Sequence, residues 1–346
     1  MDLQIALLLG QDGITNGAIY ALLSLALVLV FAVTRVIFIP QGEFVAFGAL
    51  TLASFQAGKV PGTLWLLIGV GIAVAVVDLR AVLGRSRQRR RIFSILGWNL
   101  VYPVVLAILI HLAKPGELPL AAQVILALAL VVPLGPMTYR LAFQPLAEAS
   151  VLVLLIVAVG VHFALVGLGL LFFGAEGSRT PAFSDGSLTL GSLTVGAQTL
   201  WVLGSSLTLI VVLAFFFERT IYGKALRATA MNRTGARLMG ISTVMAGKLS
   251  FLLASLIGAF SGVLIAPITT VYYDTGFLIG LKGFVGAIVG ALSSYPLAAL
   301  GALLVGLLEA FSSFWASAFK EVIVFTLIIP VLVWLSLTTH QVEEEE

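Results

Sequence analysis

Eleven apolar stretches of close to spanning length, separated by short polar breaks, leave this chain few ways to fold. They run at about 14–36, 40–57, 63–79, 92–113, 119–140, 150–173, 200–218, 248–268, 277–293, 297–318 and 321–338. A helix needs about 20 predominantly apolar residues to cross the ~30 Å hydrocarbon core of a bilayer. Lipid offers no partner to an unpaired N–H or C=O, so the expected fold class is all-α, a polytopic integral membrane protein of about eleven transmembrane helices. With 60% hydrophobic residues, 10% charged residues and a mean hydropathy of +1.13, residues 1–346 read as a single transmembrane domain.

Lysine and arginine set the orientation. If the basic run at 80–91 lies inside and the chain alternates from there, fourteen of the nineteen cations fall on the inner side. They are Arg35, Arg80, Arg85, Arg87, Arg89, Arg90, Arg91, Arg140, Arg219, Lys224, Arg227, Arg233, Arg237 and Lys248. Lys59, Lys114, Arg179, Lys282 and Lys320 fall on the outer side. The positive-inside rule then places the N-terminus outside and the C-terminus in the cytoplasm. The acidic run Glu343 to Glu346 offsets this asymmetry in the net charge of +3, and the tail 339–346 is expected to be solvated and disordered.

Several chemistries are excluded. Cysteine is absent, which removes disulfides and thiolate chemistry. His111, His162 and His340 fall in separate segments without the spacing that puts two imidazoles on one helical face, so no metal site is expected. No paired carboxylates at helical spacing suggest a catalytic centre, and no catalytic residue or cofactor is assigned. The phosphate-binding pattern G-x-x-x-x-G-K-[ST] is also missing, so nucleotide would have to be handled by another chain. No cation precedes Arg35, so the positive start of a cleaved signal peptide is lacking and the first apolar segment is expected to stay.

Three polar segments stand out. The arginine-rich loop 80–91 reads as a topology anchor that also meets anionic lipid head groups, at about 1 kcal/mol per charge; at a membrane face, nucleic acid is not an expected partner. The outer connection 174–199 is rich in Ser, Thr and Gly, and reads either as a docking surface or as a mobile connector. The inner segment 219–247 spaces Lys224, Arg227, Arg233 and Arg237 among alanines and leucines, bounded by Gly223, Gly235 and Gly240. Such a segment suits a short helix gripped by a soluble partner, or an amphipathic helix lying on the membrane.

The sequence GKALRATAMNRTGARLMGI followed by KLSFLLASLIGAFSGVLIAP resembles the coupling loop and following helix of bacterial ABC importer permeases of the branched-chain amino acid (Liv) type. The resemblance extends to DGITNGAIYALLSLALVLVFAVTRVIFIPQGEF and to GLKGFVGAIVGALSSYPLAALGALLVGLLEA, so it covers roughly the first 60 residues and 135–320. It implies a subunit of an inner-membrane importer in which two related permeases form the pore, two cytoplasmic ATPase subunits bind below and a periplasmic solute-binding protein delivers from above. Carried over by position, Lys224 to Gly240 would form a cytoplasmic coupling helix. Arg227, Ala228, Asn232, Ala236 and Gly240 would sit nearest the ATPase, with Lys224 and Arg233 alongside. The chain departs from this family in an additional hairpin built from the arginine-rich loop and 92–113, and in its C-terminal ending.

Pathway candidates are polar residues that lipid would penalise. Asn16, Gln41 and Glu43 border the first two spans, and the I-P-Q-G-E turn can be either cavity-lining backbone or an ordinary turn near the inner face. Lys282 and Glu309 lie at similar heights on consecutive helices and are expected to face the interior as an ion pair, with direct solute contact as the other reading. The G-x-x-x-G pairs Gly258/Gly262 and Gly286/Gly290 suit close helix packing, inside the chain or against a second subunit. The resemblance points to branched-chain or other hydrophobic amino acids, with amides or urea as the alternative solutes. An ion-coupled secondary transporter is the other class, and would call for more intramembrane acids than Glu309.

Overall fold

The computed structural model describes residues 3–82, 89–190 and 193–343. Among these, nine helical segments are long and apolar enough to cross a membrane. The first three helices are α1 (Leu3–Thr34), α2 (Gln41–Gln56) and α3 (Thr63–Val82). Helices α4 (Arg89–Leu96) and α5 (Tyr102–Ala113) together form the next crossing, followed by α6 (Leu120–Val131), α7 (Leu134–Thr138) and α8 (Val151–Phe173). A two-stranded antiparallel hairpin, β1 (Ser187–Leu190) and β2 (Leu193–Gly196), precedes α9 (Ala197–Arg219). Two short helices, α10 (Ile221–Met231) and α11 (Arg233–Leu238), lead into α12 (Thr243–Ile265). The chain ends with α13 (Thr275–Val289), α14 (Tyr295–Trp315), α15 (Lys320–Thr326) and α16 (Ile328–Glu343).

Helix α1 is the axis of the bundle. Its most apolar window is 83% buried, against 6% for the last span, so neighbours surround α1 while the last span faces outward. Glycines let those neighbours come close: Gly13 meets Leu307 and Gly17 meets Leu303 of α14, and the Ser24 hydroxyl donates to the Gly283 carbonyl of α13 at 2.5 Å. Gly258 and Gly262 of α12 face α2, and Gly286 and Gly290 of α13 face Ser24 and Ala298, so both G-x-x-x-G pairs serve packing within the chain.

Two of the eleven expected spans fold as helices shorter than the spanning length. Helix α2 has 16 residues and α13 has 15, about 24 and 22 Å long. Arg35 turns the chain in the left-handed region (φ 61) at the end of α1. The coil 36–40 then runs inward, with Val36 and Phe38 buried and Phe38 stacked 4.6 Å from Phe251 of α12. Helix α2 starts at the level of Ala254 to Gly258, whereas the sequence placed the turn before it near the inner face. Irregular backbone is tolerated at that depth because protein buries it.

Prolines explain two further breaks. Pro136 has no N–H to give the Val132 carbonyl; Gly135 N–H at 3.2 Å and the Ser255 hydroxyl at 2.7 Å take its place, and α6 passes into α7 with a kink. Pro103 similarly leaves Asn99 without its usual donor, and 97–101 widens into a π-type turn between α4 and α5. The connection 174–199 is built rather than loose. Besides its hairpin, it forms a two-bond bridge between Ser178 and Val271, while Arg179 donates to the Pro267 carbonyl. Part of the expected acidic tail, through Glu343, continues α16 as helix; Glu344 to Glu346 and 83–88 of the arginine-rich loop lie outside the described residues.

A Cβ on Gly262 would overlap the Val45 carbonyl of α2, and backbone cannot step aside as a flexible side chain can. Gly262→Leu is therefore expected to destabilise the purified protein by about 1–3 kcal/mol or more, seen as a lower thermal midpoint. Gly10→Ala, with no atom within 4 Å of the added carbon, should leave the midpoint unchanged.

Candidate functional site

The N-termini of α2 and α13 meet in the interior. A Cβ on Gly42 would strike the Gly276 carbonyl and one on Gly276 would strike the Gly42 carbonyl, so only glycine allows the approach. From this junction α2 runs alongside the second half of α12, while α13 returns toward the opposite end of the bundle. Neither helix start carries a side-chain cap, so each presents first-turn N–H groups and a positive dipole end.

Glu43 sits in the first turn of α2, 1% exposed, and its Oε1 is 2.8 Å from His162 Nδ1. His162 lies at the centre of α8, eleven residues from each end, and its ring stacks 4.5 Å from Phe277 in the first turn of α13. Gln41 is fully buried and donates from Nε2 to the Ala254 carbonyl at 2.9 Å. Glu43 Oε2 and Gln41 Oε1 have no hydrogen-bond partner among the described residues. A negative group beside positive helix ends is electrostatically favoured, and two neighbouring acceptor oxygens here are without a partner among the described residues.

The second cluster lies on another face of α13. Lys282 Nζ is 2.5 Å from Glu309 Oε1, the pair expected from the sequence, and 3.2 Å from Glu321 Oε1 of α15. The Tyr20 hydroxyl of α1 donates to Glu309 Oε2 at 2.5 Å. Four helices thus converge on one ammonium. Asn16 stands apart from both clusters, half-buried on α1 between Gly13 and Gly17.

Residues 220–240 fold as two helices broken at Asn232, where a single helix was expected. Thr220 Oγ1 accepts from Gly223 N–H to start α10, and Asn232 Oδ1 accepts from Gly235 N–H to start α11. Gly240 closes α11 at φ +82, with Ile241 N–H reaching back to the Ala236 carbonyl. Lys224, Arg227, Asn232 and Gly240 are exposed, and Ala228 and Arg233 partly so. Ala236, expected near the partner, is buried within the chain, where it packs the element onto the bundle. Arg233 donates to the Ala147 carbonyl at 3.0 Å, bracing the element against the loop after α7.

Sequence reasoning missed His162, Glu321, Tyr20 and the apolar tip of this element. His162 was considered only as a metal ligand, although a polar side chain in the most apolar span calls for an interior partner. Glu321 opens the last apolar stretch, beside Lys320, and was not singled out. Met231, Leu238 and Met239 are 88, 83 and 82% exposed, a property set by the break at Asn232.

Residues 96–332 match the family model described as branched-chain amino acid transport system / permease component. The chain is 25% identical over 339 residues to the high-affinity branched-chain amino acid transport system permease protein LivH of Escherichia coli (strain K12), covering 93% of this chain and 91% of that protein. It is 26% identical over 330 residues to the corresponding permease protein BraD of Pseudomonas aeruginosa, covering 93% and 92%.

Removing Lys282 would strand two carboxylates against one another. Lys282→Met is expected to cost about 3–5 kcal/mol in denaturant unfolding of the purified protein, and Lys282→Met/Glu309→Gln should recover part of that loss. A single variant as stable as the double would show that the cluster is hydrated rather than dry.

Proposed function

The chain belongs to the family of permease components of branched-chain amino acid transport systems, and we propose that it is a pore-forming subunit of an ATP-driven importer of branched-chain or other hydrophobic amino acids. Its basic end, which carries Arg80, Arg140, Arg219 and Lys248, faces the cytoplasm, with the N-terminus outside and the C-terminus inside. A second related permease completes the pore, two ATPase subunits dock beneath, and a periplasmic binding protein delivers the solute. The chain itself performs no hydrolysis.

The observation that carries this reading is the exposed tip of the α10–α11 element. Met231, Leu238 and Met239 project from a surface framed by Lys224, Arg227 and Arg237, all on the basic side of the bundle. Contiguous apolar side chains exposed to water mark a protein interface, and methionine adapts well to a partner groove. Asn232, Arg227 and Ala228 shape the element, while Ala236 and Arg233 fix it to the body.

From the tip, force has a short route inward. Helix α11 is joined to α12 by four residues, and α12 holds α2 through Gln41, Gly258 and Gly262. Helix α2 in turn meets α13 at Gly42. A shift of the tip therefore moves α12 as a lever and loads the junction where Glu43 and Gln41 lie, so that the solute path opens alternately to the two sides by rocking of these short helices. The Lys282–Glu309 pair anchors α13 to α14 as a structural contact beside this path.

Two measurements test the proposal. The chain reconstituted with its permease partner, ATPases and binding protein should accumulate leucine only when ATP is supplied on the basic side; uptake by the isolated chain, or uptake driven by an ion gradient, would sink the reading. Met231→Glu/Leu238→Glu should weaken ATPase capture at least tenfold, about 1.4 kcal/mol, with an unchanged thermal midpoint because neither side chain packs on the bundle.

A further inference from the structure

A crevice of about 1020 Å³ lies between α3, α4, α5, α6, α7 and α12, away from the α2–α13 junction. Its walls are apolar: Val74 from α3, Leu128 from α6, Met137 from α7 and Leu249 from α12. Its lining includes Trp98 of the 97–101 turn and Ile125 of α6, 69 and 65% exposed, so the crevice reaches the outer surface of the bundle. In a membrane protein that face meets hydrocarbon, so an acyl chain is the material that fills an apolar crevice opening there.

The polar end gives the crevice a preference. Asp78, Arg140, Gln144 and Lys248 line it together at the basic end. Arg140 Nε donates to Asp78 Oδ1 at 2.6 Å, the one hydrogen bond its side chain makes among the described residues. That bond fixes the guanidinium plane and leaves both terminal amino groups to make a bidentate contact with an oxyanion. Gln144 Oε1 has no hydrogen-bond partner among the described residues and is an acceptor, so the crevice asks for an anion with a hydroxyl donor beside it. Arg80 follows Asp78 by two residues, and in the sequence Arg85, Arg87, Arg89, Arg90 and Arg91 precede Ser94 and Ile95. Clustered cations next to a spanning helix draw anionic lipid to the surface.

We propose that this crevice is a binding site for one anionic glycerophospholipid of the phosphatidylglycerol type. An acyl chain lies along Val74, Leu128 and Met137, the phosphate sits on Arg140 and Lys248, and a head-group hydroxyl donates to Gln144. The phosphate approaches Arg140 from the side away from the Asp78 carboxylate, whose own charge Arg140 already balances. On this assignment Ser94, Ile95, Trp98, Asn99 and Tyr102 build one wall of a lipid site.

The test uses the full chain purified in detergent, depleted of lipid and titrated with phosphatidylglycerol or phosphatidylcholine, with native mass spectrometry and thermal midpoint as readouts. One phosphatidylglycerol per chain is expected, held at least tenfold more tightly than phosphatidylcholine and raising the midpoint. Asp78→Asn/Arg140→Gln, which removes both charges together, should abolish the preference for the anionic lipid. Ala129→Phe, which sets a ring across the apolar part of the crevice and leaves every charge in place, should weaken retention of either lipid at least tenfold while the lipid-free midpoint stays near that of the parent. Equal binding of the two lipids by the parent chain, or undiminished retention by the Ala129→Phe variant, would overturn the proposal. So would a bound second protein chain displaced by Ala129→Phe, because the crevice would then be a subunit contact.

Discussion

Contact of bare backbone at Gly42 and Gly276 is the constraint on which the centre of this molecule rests. Two helix N-termini repel one another through their dipoles and leave first-turn N–H groups unpaired. The arrangement holds because glycine removes the side chains that would keep the ends apart, and the Glu43 carboxyl in the first turn of α2 is held there by His162. Any larger residue at either glycine would separate α2 from α13 and open the interior to lipid or water. The long helices α1, α12 and α14 then serve as a frame around two short ones.

Charge inside the frame is arranged in two different ways. At Lys282 one ammonium pairs with carboxylates from two other helices, and the cluster fastens α1, α13, α14 and α15 together. At Glu43 a single carboxyl–imidazole contact ties α2 to α8. Among the described residues each site keeps one carboxylate oxygen without a partner, Glu321 Oε2 in the first and Glu43 Oε2 in the second. The first cluster therefore joins four helices and the second joins two.

Much of this architecture was legible from periodic apolar length. Nine segments matched helices of spanning size because lipid enforces that length on any helix that crosses alone. The same rule misled at 40–57 and 277–293, where protein rather than lipid surrounds the backbone and no minimum length applies. The Lys282–Glu309 pair was readable because both residues lie on consecutive helices joined by a tight turn, so counting residues fixes their heights. Glu43 and His162 are 119 residues apart on helices whose neighbourhood only the tertiary fold defines. Likewise, composition announced the polar segment 219–247, yet the direction in which Met231 and Leu238 point follows from the break at Asn232.

The bridge between Ser178 and Val271 has a mechanical consequence. The nine residues from Ala266 to Asp274 connect α12 to α13, and the bridge pins them near their midpoint to the chain that leads from α8 toward the hairpin. A cord fastened halfway has little slack on either side. Whatever presses on that hairpin from beyond the membrane tugs the start of α13 directly, and a tilt of α12 driven from below is felt at the hairpin in turn. The two faces of the molecule can thus sense each other without a continuous rigid rod between them.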